Sequence, residues 1–173
     1  IPLFGATIVK KLIPYVRKAG HLKVTKTNMP PVGARISPDP TIEHTHQNIK
    51  TCLLNGVAPT VIINYSDQEL PYAGKPKLVL AHKMYGFPYL DAAGSFGISN
   101  RDNYVITDRS IEELEMLRDF LATKTALYLF ETARYRMKYL EKYAFEFIPD
   151  ITKLPKFPRT ITDESIAKYF KLD

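Results

Sequence analysis

After a helix-like first segment, the spacing of the apolar residues changes close to Ser110, and that change restricts the fold more than any other feature. Between Leu22 and Thr107, apolar side chains come in short alternating or β-branched runs set between Gly, Pro and Asn; after Ser110 they recur at spacings of three and four. A period of two belongs to a strand with one buried face, and a period near 3.6 to an amphipathic helix. The chain therefore reads as an α/β protein of the α+β kind, a mixed or mainly antiparallel sheet followed by a helical C-terminal third. Its 173 residues suit one domain. Residues 1–109 form the sheet-rich part with a basic N-terminal segment, and 110–173 the helical part.

Individual elements follow from local signals. Ile8, Val9, Leu12, Ile13 and Val16 predict a helix over Thr7–Ala19 that Gly20 stops, with Pro14 kinking it or dividing it into two short turns. Leu22–Thr27 alternates like a half-exposed strand, and Pro30, Pro31, Gly33, Pro38 and Pro40 predict an irregular loop. Asn48–Leu54 fits strand or helix, whereas Thr60–Tyr65 and Lys77–His82 are strands. Tyr85–Gly94 reads as a loop, and Phe96–Ile98 with Asn103–Thr107 as a further strand pair. Ser110-Ile-Glu-Glu113 is a capping-box pattern that opens a helix to about Leu121. Ala126, Phe130, Ala133, Met137, Leu140 and Ala144 mark a longer helix from Lys124 to Lys142, with Tyr128, Tyr135, Tyr139 and Tyr143 as a second stripe for helix–sheet packing. Thr162-Asp-Glu begins a short last helix.

Charge is segregated along the sequence. From Ile1 to Pro38 there are Lys10, Lys11, Arg17, Lys18, Lys23, Lys26 and Arg35 and no carboxylate, in a chain of net charge +6. A one-sided basic field attracts polyanions. No apolar run approaches the ~18 residues of a membrane span, so no membrane partner is expected. Cys52 is the one cysteine, which rules out an internal disulfide, fits a reducing compartment (cytoplasm or virus-associated) and reads as a small buried residue. The opening on Ile1 rather than Met reads as a segment of a longer protein or a processed product.

Several chemistries lack their residues. His44 and His46 form an H-x-H pair without a third ligand at suitable spacing, so no metal or other cofactor is expected. Asp39 and Asp150, each after a proline, invite a nuclease reading, but no lysine has an Asp or Glu two positions before it, as the metal-dependent acid–x–Lys arrangement needs. There is no G-x-S-x-G elbow, no phosphate loop and no D/N-P-P-Y/F tetrapeptide of the kind that grips a flipped adenine.

The stretch Lys77-Leu-Val-Leu-Ala-His-Lys-Met-Tyr-Gly86, followed by Gly94-Ser-Phe-Gly-Ile-Ser-Asn100, resembles the target-recognition domains of adenine-N6 DNA methyltransferases of the type IIG and Eco57I-like restriction–modification class, including phage and giant-virus versions. The resemblance covers roughly residues 45–173. It rests on Pro76, Lys77, Leu78 and Val79, then Gly86, then Gly94, Phe96 and Gly97, and extends to the C-terminal helices. It implies a sequence-specific module for double-stranded DNA, with catalysis on another methyltransferase segment or chain. A structural or interaction protein built on the same domain, such as a minor virion component, is the alternative.

Under the recognition reading, Lys10, Lys11, Arg17, Lys18, Lys23, Lys26 and Lys83 hold phosphates, joined by Arg134 and Arg136 from the long helix. Asn100, Arg101, Asp102 and Asn103 are the candidate base readers, because Arg pairs bidentately with guanine and Asn with adenine; the alternative is a plain polar hairpin connection. Tyr85 and Tyr89 either stack on a base or pack beneath their loop.

Overall fold

The structure, a computed structural model, describes residues 3–55, 58–82, 87–132 and 142–172. Helix α1 (Leu3–Ala19) leads to β1 (Thr25–Lys26), β2 (Ile36–Ser37), β3 (His46–Asn55), β4 (Ala58–Ser66), β5 (Lys77–Ala81), β6 (Tyr89–Asp91), β7 (Gly97–Ile98) and β8 (Asn103–Ile106). Helices α2 (Ile111–Leu121) and α3 (Lys124–Thr132), two short 3₁₀ segments and α4 (Asp163–Phe170) complete it. Two sheets form, ordered β1-β8-β5-β6 and β2-β4-β3-β7, and every pairing is antiparallel except β3 with β7. The α+β class with a mainly antiparallel sheet component and helices towards the C-terminus is thus the observed one.

The central layer explains why β5 and β8 read as continuous apolar runs. Both are buried along their whole length. Leu78, Leu80, Tyr104 and Ile106 pack on one side against Leu114, Leu117, Phe120, Phe130, Phe145 and Phe170 of the helical part. Val79, Ala81 and Val105 pack on the other side against Ile49, Cys52 and Ile98 of the second sheet. A strand covered on both faces loses the polar half of its alternation.

Local signals hold where they are local. Gly20 ends α1 at φ +81, its N–H bonding the Val16 carbonyl at 2.8 Å, a conformation that favours glycine. Ser110 caps α2, accepting from the Glu113 N–H, and Thr162 with Ser165 forms a reciprocal capping box on α4. Asn48–Leu54 resolves as strand.

The non-local expectations need correcting. Residues 96–98 and 103–107 do not pair: β7 joins β3 and β8 joins β1 and β5, so the chain crosses between sheets at residues 99–102. Strand β6 lies within the segment expected as loop, because Leu78 and Val79 supply it a partner edge. Ile36–Ser37 pairs with Tyr65 and Ser66 inside the proline-rich stretch. Helix α1 runs as one element through Pro14, which is exposed. Of the long helix expected over 124–142, α3 accounts for Lys124–Thr132; residues 133–141 lie outside the described residues, and Lys142–Phe147 is 3₁₀.

Candidate nucleic-acid interface

The crossing between the sheets is tied to three other elements by hydrogen bonds of its backbone and closed by one bond of its own. The Asn100 carbonyl accepts from Thr27 Oγ1 at 2.6 Å, just past β1. Asn100 Oδ1 accepts from the Asp102 N–H at 3.2 Å, and the Asp102 carbonyl accepts from the His82 N–H at 2.8 Å, just past β5. Ser99 N–H donates to the Ile49 carbonyl at 3.1 Å. Between these ties Arg101 is exposed. The turn holds a guanidinium outward on a backbone fixed to three strands.

Asn103, expected to read a base, does something else. It is wholly buried, and its Nδ2 donates to the Lys50 carbonyl at 2.9 Å, pinning the turn to β3. That burial withdraws its amide from any base edge. Asn100 is half-buried, with its side-chain oxygen committed to the turn. Tyr89 is likewise half-buried, on β6, its ring edge-on to Phe96 at 6.4 Å, and burial pushes its hydroxyl pKa up. Lys83, Tyr85, Arg134 and Arg136 lie outside the described residues.

The register of β3 against β4 shifts between Ile49 and Thr51, leaving Lys50 as an exposed bulge residue beside the turn. Bulges re-aim a side chain in this way. Lys50 escaped the sequence reading because a bulge is created by the partner strand and leaves no residue signature in β3 itself.

Of the N-terminal cations, Lys26 lies on β1, next to Thr27, whose Oγ1 bonds the Asn100 carbonyl. Lys10, Arg17, Lys18 and Lys23 are exposed. Lys26, on β1, reaches over the Tyr104 ring with its Nζ 5.5 Å from the centroid. Lys11 instead donates to the Lys171 carbonyl at 2.9 Å, where it satisfies the end of α4. Among the described residues, no ion pair engages Lys10, Arg17, Lys18, Lys23, Lys26, Lys50 or Arg101; the carboxylates that do pair serve Lys77, Arg109, Arg118 and Lys153.

Lys77 of the resembling stretch is not part of this surface. It has no exposure, and its Nζ bonds Asp91 Oδ2 at 2.7 Å and the carbonyls of Tyr72, Lys75 and Phe96. Desolvation lowers its pKa, opposed by the Asp91 carboxylate. Asp91 also accepts from the Ser95 and Phe96 N–H groups. The glycines of the same stretch are spacing requirements: a Cβ on Gly94 would lie 2.7 Å from the Gly74 carbonyl carbon, and one on Gly97 2.6 Å from Asn48 Oδ1.

The remaining reactive groups are engaged structurally. Asp150 is buried and paired bidentately with Arg109, at 2.7 and 3.2 Å, while capping the 3₁₀ segment Ile151–Lys153. Burial pushes the Cys52 thiol up to about 12. His44 Nδ1 is 2.8 Å from Thr41 Oγ1. No group of three His, Cys, Asp or Glu residues among those described is placed to hold a metal, and no helix among them is long and apolar enough to cross a membrane. No family model, curated protein or solved structure matches the chain.

Proposed function

We propose that this chain is a sequence-specific DNA-recognition module serving an adenine-N6 DNA methyltransferase or restriction–modification enzyme whose catalytic part lies on another segment or chain. The observation that carries the reading is the tethered turn 100–102, which presents an exposed Arg101 near the Lys50 bulge and β1, which carries Lys26. Lys10, Arg17, Lys18, Lys23 and Lys26 contact phosphates and set register, joined by Lys50 at the bulge, while Arg101 reads a guanine edge. Pre-ordering the turn lowers the entropy lost when that contact forms.

Selection from a random duplex pool at fixed salt tests this. A preferred site should be enriched. Arg101→Ala should then lose roughly 1–3 kcal/mol on that site and little on random duplex. Lys18→Ala should weaken both equally and reduce the salt slope by about one unit. If nothing is enriched, or both variants act alike on all DNA, recognition by this turn is refuted.

A second reading, an interaction protein such as a virion component, is favoured by one observation. The segment between β1 and β3 exposes Met29, Val32 and Ile42, the last two almost completely, at 107% and 99%. Exposed apolar residues concentrated in one segment mark contact surfaces more often than scattered ones do. Concentration-dependent self-association lost in a Val32→Ser/Ile42→Ser variant, with no duplex binding, would favour it.

A further inference from the structure

The extended segment His21–Thr25 and the 3₁₀ segment Lys142–Phe147 enclose a groove of about 540 Å³. The two segments are held together at one end, where the Leu22 N–H donates to the Ile148 carbonyl at 2.8 Å and His21 bridges to Pro149. Leu22, Val24 and Phe145 are buried and form its apolar base. Lys23 and His21 line one side, and Lys142, Glu146 and Tyr143 the other. Lys23, Lys142 and His21 are all exposed.

Tyr143 departs from its expected place. As the last member of a tyrosine stripe it should pack between helix and sheet, yet it is 44% exposed at the groove. Tyr143 lies on the 3₁₀ segment Lys142–Phe147 rather than on an α-helix. The groove thus combines an apolar base, an aromatic ring and lysines contributed from both sides. Such a combination suits a planar aromatic base linked to a phosphate, since stacking is indifferent to base identity and ammonium groups neutralise the phosphate.

We infer that this groove takes a single unpaired nucleotide, its base against Tyr143 and its phosphate held by Lys23 and Lys142. The inference deepens the DNA-recognition reading and rests on it for the source of the nucleotide, a strand end or an extruded base, because the chain leaving the groove at Thr25 reaches Thr27, whose Oγ1 bonds the Asn100 carbonyl of the Arg101 turn. Nothing in it requires a covalent step.

The test is a titration of the chain with deoxyadenosine monophosphate, followed by backbone amide NMR shifts, with ribose 5-phosphate and inorganic phosphate as parallel probes. Saturable shifts should appear at residues 21–25 and 142–146. Tyr143→Ala should weaken binding roughly 5- to 150-fold, the range for loss of one base–aromatic stack, while Tyr143→Phe should keep it. The Lys23→Ala/Lys142→Ala double variant should weaken all three probes. Equal affinity for ribose 5-phosphate and the nucleotide, or no saturable shift in this region, overturns the inference. If selected duplex binds while the nucleotide does not, the groove is refuted and the recognition reading stands. If the nucleotide binds here and no duplex sequence is enriched, the groove is supported and sequence recognition fails.

Discussion

A lysine without exposed surface must exchange its hydration for partners of comparable strength. Lys77 does so with one carboxylate and three carbonyls, and Asp91 completes its own shell with two backbone N–H groups. The pair ties the loop before β5 to the loop after β6, close to where Gly74 and Gly94 meet through the Gly74 N–H and the Gly94 carbonyl at 2.8 Å. Removing one member strands the other as a buried charge, so Lys77→Met should destabilise the protein by about 3–5 kcal/mol. The urea midpoint reads this. Lys77→Met/Asp91→Leu should recover part of the loss, because it also removes the stranded carboxylate. A single variant as stable as the wild type would show that the pair contributes nothing. None of this was legible beforehand: Pro76-Lys77 looked like a strand entrance, and a lysine there is solvated by default. Gly94 and Gly97 stand out in the sequence as part of the resembling stretch, but the neighbours that require them, Gly74 and Asn48, are distant in sequence.

At the scale of elements, the signals that proved readable are those whose partners lie within four residues. Ser110 shows this. Its hydroxyl accepts the Glu113 N–H at 3.1 Å and approaches Glu113 Oε1 at 3.3 Å, so donor and acceptor are both written into one tetrapeptide. Ser110→Ala should cost about 1 kcal/mol, or a fall of roughly 2–4 °C in Tm for a chain of this size. Ser110→Asp should restore most of it, since a carboxylate caps as well and favours the helix dipole. Unchanged melting in the alanine variant would mean that α2 is set by its buried face alone, through Leu114, Leu117, Phe120 and Leu121. Strand identity was also readable from β-branched runs, but strand partnership was not. Phe96–Ile98 and Asn103–Thr107 look like a hairpin because a polar connection separates two apolar runs. The alternative, each run joining a different sheet, is stabilised by contacts with β3, β1 and β5 that no local pattern encodes. The same crossing creates the candidate reader: Arg101 was visible as a turn residue, whereas the burial of Asn103 and the bulge at Lys50 arise only once both sheets are present.

At the scale of the whole molecule, the sheet-rich and helical parts are joined through Asp150. Its N–H donates to the Gly20 carbonyl at the end of α1, and its carboxylate takes the guanidinium of Arg109, which lies between β8 and α2. Thr152 contributes its N–H and hydroxyl to the same carboxylate. Burial alone would raise the Asp150 pKa, but the hydrogen bonds from Arg109 and Thr152 outweigh it and hold the carboxyl below its ordinary value. A carboxylate depressed in the folded state binds protons more readily when the chain unfolds, so between the two pKa values stability rises with pH. Its contribution is complete above the unfolded value of about 4 and is lost as pH falls through the folded value. Asp150→Asn should therefore lose about 3 kcal/mol near neutral pH, where an arginine is left facing a neutral amide. That deficit should shrink progressively below about pH 4, because acid removes from the wild type the same charge that the substitution removes. Urea unfolding of both proteins from pH 7 down to about pH 2 measures the convergence. Curves that stay parallel would assign the loss to the backbone cap at Thr152 rather than to the ion pair, and the junction between the two parts would then rest on packing, chiefly Tyr104 and Phe130 against Phe145.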